Sequence, residues 1–216
     1  MTPTPPILQA SALSGQRGDR VLFKGLDLAL HAGDVVWLRG RNGRGKTTLL
    51  RLLAGLSTPA AGEIAFDGVP IRQAGPAWRA NMAYIGHANA LKDDLTAAEA
   101  LRFTAQLQGR VPDTSTIAQA LERLGVAAYG RAPVRTLSQG QRRRVALARL
   151  ALPAASRLWL LDEPFDALDD LGIGALNGLL AEHAARGGAV LLTSHQSLSL
   201  RAPVPRALDL DHFAVA

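Results

Sequence analysis

Cysteine is absent from the 216 residues, which excludes disulfides, thiolate metal sites and cysteine nucleophiles together. Lysine is nearly absent: Lys24, Lys46 and Lys92 are three of 24 basic residues, and the rest are arginine. Against 18 acidic residues the formal net charge is +6. That balance permits contact with nucleic acid, anionic lipid or a phosphorylated ligand without choosing among them. Aromatic residues make up only 5%, and none interleave with arginine in the array on which single-stranded nucleic acid stacks. No apolar run approaches the roughly 18 residues of a membrane span. The opening segment MTPTPPILQASALSGQ lacks the basic start and long apolar centre of a secretion signal, so a soluble, cytoplasmic chain is expected. This length suits one large domain or two small ones, with enough buried surface for a core.

What is present is an alternation of short strands and helices. Leu26, Leu28 and Leu30 alternate with Asp27 and Ala29 as in a half-buried strand. Val35-Val36-Trp37-Leu38 is a continuous apolar run, suited to a strand covered on both faces. LLRLLAGL then has a helical period stopped by Gly55 and Pro59, and Glu63–Phe66 before Asp67-Gly68 reads as a hairpin arm. Thr96 with Glu99, and Ser138 with Gln141, form capping boxes ahead of ALRFTAQLQ and QRRRVALARL. Between them a helix is predicted over about Thr116–Leu124. Leu158–Leu161 and Ala189–Leu192 read as buried strands flanking a helix over Leu171–Ala185. Strand–helix alternation on both sides of a helical stretch implies an α/β fold carrying an α-helical subdomain.

Gly40-Arg41-Asn42-Gly43-Arg44-Gly45-Lys46-Thr47 fits the phosphate-binding pattern G-x4-G-K-[ST], with a strand before it and a helix after. Its glycines let successive backbone N–H groups point at phosphate oxygens, and the helix N-terminus adds its dipole. In that pattern Lys46 neutralises β/γ oxygens and the Thr47 hydroxyl sits on Mg²⁺. Asp162 and Glu163 follow an apolar strand, at the carboxyl end where ligands bind in open α/β sheets. Alone, two acids there are more often a solvated strand end. After a phosphate loop, Asp162 becomes the candidate for the Mg²⁺ shell and Glu163 the group that orients or deprotonates the attacking water. In Leu137-Ser138-Gln139-Gly140-Gln141 a glycine stands inside a first helical turn, where it is costly. It makes sense if another group approaches the backbone closely, with the exposed N–H groups forming a second anion site.

Together these elements resemble the ATP-binding cassette ATPases. The Walker A loop is Gly40–Thr48, the signature Leu137–Gln141 and the Walker B strand Leu158–Glu163. Ala167-Leu168-Asp169 matches the D-loop, with Asp166 just before it, and His195 matches the switch histidine. The likeness runs from about Leu8 to His195. It implies a P-loop fold with a mixed sheet core, an antiparallel β subdomain and an α-helical subdomain. The whole chain, 1–216, is then one ATPase domain, with the core and β part over 7–90 and 155–216 and the helical part over about 91–150. The family's ligands are ATP and Mg²⁺, bound through Gly40 to Thr48. A head-to-tail homodimer is implied, in which each signature contacts the other chain's ATP.

A narrower likeness lies in Tyr84–His87, Leu91-Lys92, Leu95-Thr96-Ala97, Gly140–Leu150, Leu161–Phe165 and Thr193–Gln196. These segments resemble the ATPase subunits of cytochrome c maturation systems, the heme exporters. That implies a peripheral subunit on the cytoplasmic face of the inner membrane, bound to integral membrane permease subunits. Its ATP hydrolysis would serve release of a heme-loaded chaperone. The alternatives are the ATPase of another small exporter and a non-transport cassette acting on nucleic acid or ribosomes, although no nucleic-acid partner is expected.

Five positions depart from the family pattern, one of them Ala88, where a glutamine is expected just after the Q-loop position. His87 stands at the Q-loop glutamine and is expected to couple nucleotide state to the membrane partner, while Gln139 replaces a small signature residue. Arg17 takes the place where relatives stack an aromatic on adenine; arginine can stack there too. Arg44 is large for a loop that hugs its ligand. It is expected to point at the facing subunit and pair with Asp166, Asp169 or Asp170 there.

Overall fold

Strands whose side chains are all buried form the middle of the larger of two sheets. In the computed structural model, which describes residues 5–75, 77–153, 156–195, 200 and 202–215, that sheet has five strands. They are β3 (Val35–Arg39), β6 (Met82–Ile85), β7 (Leu158–Leu161), β8 (Ala189–Thr193) and β9 (Arg206–Asp209), in the order β6-β7-β8-β3-β9. Every residue of β7 and β8 is buried, as expected of strands covered on both faces. β7 pairs in parallel with β8, and β3 lies in parallel between β8 and β9. Parallel pairing brings the carboxyl ends of β3, β7 and β8 to one edge.

The smaller sheet is antiparallel, with order β2-β1-β4-β5. It comprises β1 (Leu8–Arg17), β2 (Arg20–Leu30), β4 (Ala61–Phe66) and β5 (Val69–Pro70). One core unites it with helix α1 (Lys46–Leu53) and with the larger sheet, through Leu13, Phe23, Leu26, Leu49, Leu53, Leu160 and Leu191 among others. Beside it, a short helix α2 (Ala77–Ala80) places Trp78 in the same core. Two compact units result. The first holds residues up to Tyr84, Ser156–Asp162 and Ala181 onward; the second holds Ile85–Ala155 and Glu163–Leu180.

The second unit is helical. Helix α3 (Ala97–Leu107) starts at Thr96, whose hydroxyl accepts the Glu99 N–H while the Glu99 carboxylate accepts the Thr96 N–H. α4 (Thr114–Arg123) is capped by Asp113, which accepts the Thr116 N–H. α5 (Gln139–Ala148) opens on the Ser138–Gln141 box, with both bonds made. Leu101, Ile117, Leu121, Val145 and Leu147 are buried there. The long helix α6 (Asp170–Ala185) begins in this unit and ends in the first, where His183 stacks on Trp159 at 3.8 Å and 9°. Burial pushes the His183 imidazole down from 6.5 to about 4, and the nearby Arg186 adds to the shift. Among the described residues no helix is long and apolar enough to cross a membrane.

Candidate functional site

The loop between β3 and α1 turns at the carboxyl edge of the larger sheet. Gly45, directly before α1, has φ 101°, a left-handed value that side chains rarely adopt. A Cβ there would also meet Leu22 at 3.0 Å. Lys46 folds over the loop: its Nζ donates to the carbonyl of Gly40 at 2.6 Å and reaches that of Arg41 at 3.4 Å. Arg41 and Asn42 are exposed at the turn, and Thr48 is half-buried in the first turn of α1.

Parallel register then assembles the acidic end. Leu161 pairs with Leu192 and Leu38 with Thr193, so the residues that end these strands converge. Asp162 is 2% exposed. Its Oδ2 accepts from the Thr47 hydroxyl at 2.8 Å and its Oδ1 from the Thr193 hydroxyl at 3.0 Å. Thr193 is buried; the sequence shows it only within the segment Thr193–Gln196 and gives no sign that its hydroxyl bonds Asp162. The next residues, Ser194 and exposed His195, border a cleft of about 390 Å³ with Trp37, Gly40, Lys46 and Asp211. The Trp37 indole N–H donates to the Ser194 carbonyl at 3.2 Å, and the Arg39 guanidinium lies 4.8 Å above its ring. Gln196, quoted with this motif, lies outside the described residues.

Arg44 has a partner in its own chain. Its Nε stands 2.9 Å from Asp211 Oδ1, and Asp211 Oδ2 accepts the Arg41 N–H at 3.1 Å. Within one chain this partner comes from the turn Leu210–Phe213 that follows β9, whereas the pairing expected from the sequence is with a D-loop aspartate of a facing subunit. Asp211 lies beyond the family likeness, which ends at about His195, so no motif marks it. Arg17 is exposed at the end of β1, opposite Arg20 across the hairpin.

Within the second unit, Leu137 is buried while Ser138 and Gln139 are exposed. The close approach expected at Gly140 has an identity: a Cβ there would stand 2.7 Å from the carbonyl oxygen of Ala167. Ala167 itself has φ 60°, so the D-loop bends its backbone into the signature turn. His87 Nδ1 lies 3.7 Å from Asp166 Oδ2. The Gly172 N–H and then the Arg144 guanidinium hold the Asp169 carboxyl below the usual carboxylate range. Glu163 is buried with φ 48°. A left-handed residue there ends the extended backbone of β7 and turns the chain into the second unit.

Among the described residues no cluster of three His, Cys, Asp or Glu side chains could cage a metal. The donor set instead fits Mg²⁺, which keeps several waters and takes one or two carboxylates plus substrate phosphates. Thr47 and Asp162, already 2.8 Å apart, are the residues placed to hold it.

Comparison with known proteins agrees with this layout. The ABC transporter family profile matches residues 23–166. The chain is 48% identical over 215 residues to the cytochrome c biogenesis ATP-binding export protein CcmA of Pseudomonas syringae pv. syringae, covering 99% of this chain and 100% of that protein. To the protein of the same name from Nitrosococcus oceani it is 46% identical over 195 residues, covering 90% of this chain and 88% of that one. Among solved structures, an ATP-binding protein of the ABC transporter type from Pyrococcus furiosus superposes with a TM-score of 0.83 at 27% identity, covering 96% and 99% of the two chains. The dimeric structure of MJ0796, a bacterial ABC transporter cassette, superposes at 0.75 with 24% identity and 88% of each chain covered.

Proposed function

Since the chain belongs to the ABC transporter family of ATP-binding proteins, we propose that it is the ATP-hydrolysing subunit of a membrane complex in c-type cytochrome biogenesis. Its ATPase cycle serves heme export or the release of a heme-loaded chaperone. The observation that carries the ATPase reading is the Thr47–Asp162 contact at 2.8 Å directly behind the glycine loop. The names of relatives matched over nearly their whole length support the biogenesis role.

In this reading the loop Gly40–Thr48 cradles the triphosphate with its backbone N–H groups. Lys46 exchanges its loop carbonyls for β/γ oxygens. Thr47 and Asp162 would hold Mg²⁺, which would supply neutralisation of phosphate charge. Glu163 accepts a proton from the attacking water as its oxygen bonds the terminal phosphorus and the bond to the ADP oxygen breaks. His195 faces the same end of the substrate. The signature Leu137–Gln141 completes the site of a second copy in a head-to-tail homodimer. His87 answers to integral membrane permease subunits on the cytoplasmic side of the inner membrane, and Arg17 lies toward the adenine.

Affinity capture of the tagged chain from detergent-solubilised membranes tests this. Integral membrane proteins of cytochrome c maturation should come with it and should stimulate its ATPase. Capture of a different permease, with no such stimulation, would overturn the biogenesis role while leaving the ATPase intact.

A further inference from the structure

Arg143 has no part in the reading above, yet it is the most deeply placed charge of the second unit, 3% exposed. Arginine keeps its proton at any working pH, so a guanidinium buried to this degree must be surrounded by acceptors. Two sets of them meet on it. On one side Nη2 donates to the carbonyl of Glu163 at 2.7 Å, and Nε approaches that of Pro164 at 3.4 Å. On the other side Nη1 donates to the carbonyl of Gly86 at 3.0 Å and to Asn89 Oδ1 at 3.1 Å. One planar fork therefore joins the peptide after Glu163 to the loop 86–89, which carries His87.

The grip on Glu163 matters because that residue is left-handed, with φ 48°. For a residue with a Cβ this conformation persists only where surroundings enforce it. Its carbonyl is fixed twice, by Arg143 Nη2 and by the Asp166 N–H at 3.2 Å. Those two bonds set the peptide plane and with it the direction of the Glu163 side chain. The loop 86–89 is tied to the same segment again at the surface, through His87 and Asp166. A shift of the loop would thus pull on a rigid guanidinium, bonded at all three nitrogens, whose far end holds the Glu163 peptide.

We propose that Arg143 is a positioning residue that makes the orientation of Glu163 depend on the loop Gly86–Asn89. This rests on Glu163 being the group that activates water. Lysine at 143 would keep the charge but lose the fork, and cannot bond both sets of acceptors in one plane.

The test uses the full chain for basal rates and the intact membrane complex for stimulated rates. Arg143→Lys should lower kcat about ten-fold or more while ATP affinity stays within about three-fold, because the phosphate loop is not touched. Asn89→Ala loosens only the loop side. It should keep the basal rate within about two-fold but lose most of the stimulation by the membrane subunits, with no further loss of stimulation when combined with Arg143→Lys. The inference is overturned by a wild-type kcat in Arg143→Lys, or by a loss of affinity equal to the loss of rate. Full stimulation in Asn89→Ala overturns it too, and decides the matter if the lysine variant does not fold. Glu163→Gln separates the two levels. If it hydrolyses ATP normally, the underlying role of Glu163 is wrong; if it is inactive while Arg143→Lys is normal, only the positioning role is.

Discussion

Arg44 and Asp211 form an ion pair, 2.9 Å from Nε to Oδ1, across 167 residues of sequence. The second oxygen of the same carboxylate accepts the Arg41 N–H, so one C-terminal side chain holds two points of the phosphate loop. Both side chains are less than a third exposed, which lifts the pair above an ordinary surface contact. Asp211→Ala removes both holds and should weaken ATP binding about three- to ten-fold, from an ion pair of at most about 1 kcal/mol and a hydrogen bond of about 1 kcal/mol. Arg44→Ala should cost less, since the Arg41 bond survives. Titration with a fluorescent ATP analogue checks both, and a double-mutant cycle should return a coupling near 0.5–1 kcal/mol.

Glu163→Gln should keep ATP affinity but slow hydrolysis by roughly 10²–10⁴-fold, the contribution of a positioned general base. The variant should then accumulate as a nucleotide-bound dimer, visible by size-exclusion chromatography with and without ATP. Phosphate release near the wild-type rate would move the base elsewhere.

Gly140→Ala places a methyl group 2.7 Å from the Ala167 carbonyl oxygen. That atom belongs to backbone rather than to a flexible side chain, so the D-loop must shift. A loss of about 1–3 kcal/mol is expected, as for other overpacking changes. Thermal unfolding without nucleotide reads this directly, and an unchanged midpoint would contradict the close approach.

His183 makes stability depend on acid. Buried against Trp159, it stays neutral in the folded chain down to about pH 4. In the unfolded chain it takes up a proton as pH falls below about 6.5. Its contribution is therefore complete above pH 6.5 and is lost between about 6.5 and 4, by up to about 3 kcal/mol. Denaturant midpoints across that range should fall more steeply for wild type than for His183→Phe.

The chemistry was legible where it restricts residue type. Phosphate contact through backbone N–H groups demands glycine, and both capping boxes announce themselves because serine or threonine must face glutamate or glutamine three residues on. Elements formed against a local pattern were not. β1 lies in the opening segment, to which no strand is assigned from the sequence, and a register shift between Ala10 and Leu13 breaks its alternation. β9 is a half-exposed polar strand whose partner β3 is about 170 residues away in sequence. Arg143 sits in a run of three arginines. Only the rotation of α5 turns it inward, leaving Arg142 and Arg144 to bond Asp93 and Asp169. A sequence shows three equal cations there.

Trp37 gives the chain an optical reporter that needs no label. Trp78 and Trp159, the other tryptophans, are 3% and 1% exposed in the core. Trp37 instead lines the cleft with Lys46 and His195, its indole bonded to the residue before that histidine and its ring under the Arg39 cation. Indole emission responds to nearby charge and to changes in its hydrogen bond. A nucleotide entering beside Lys46 alters both at once, so binding and release can be followed in real time on the unmodified protein.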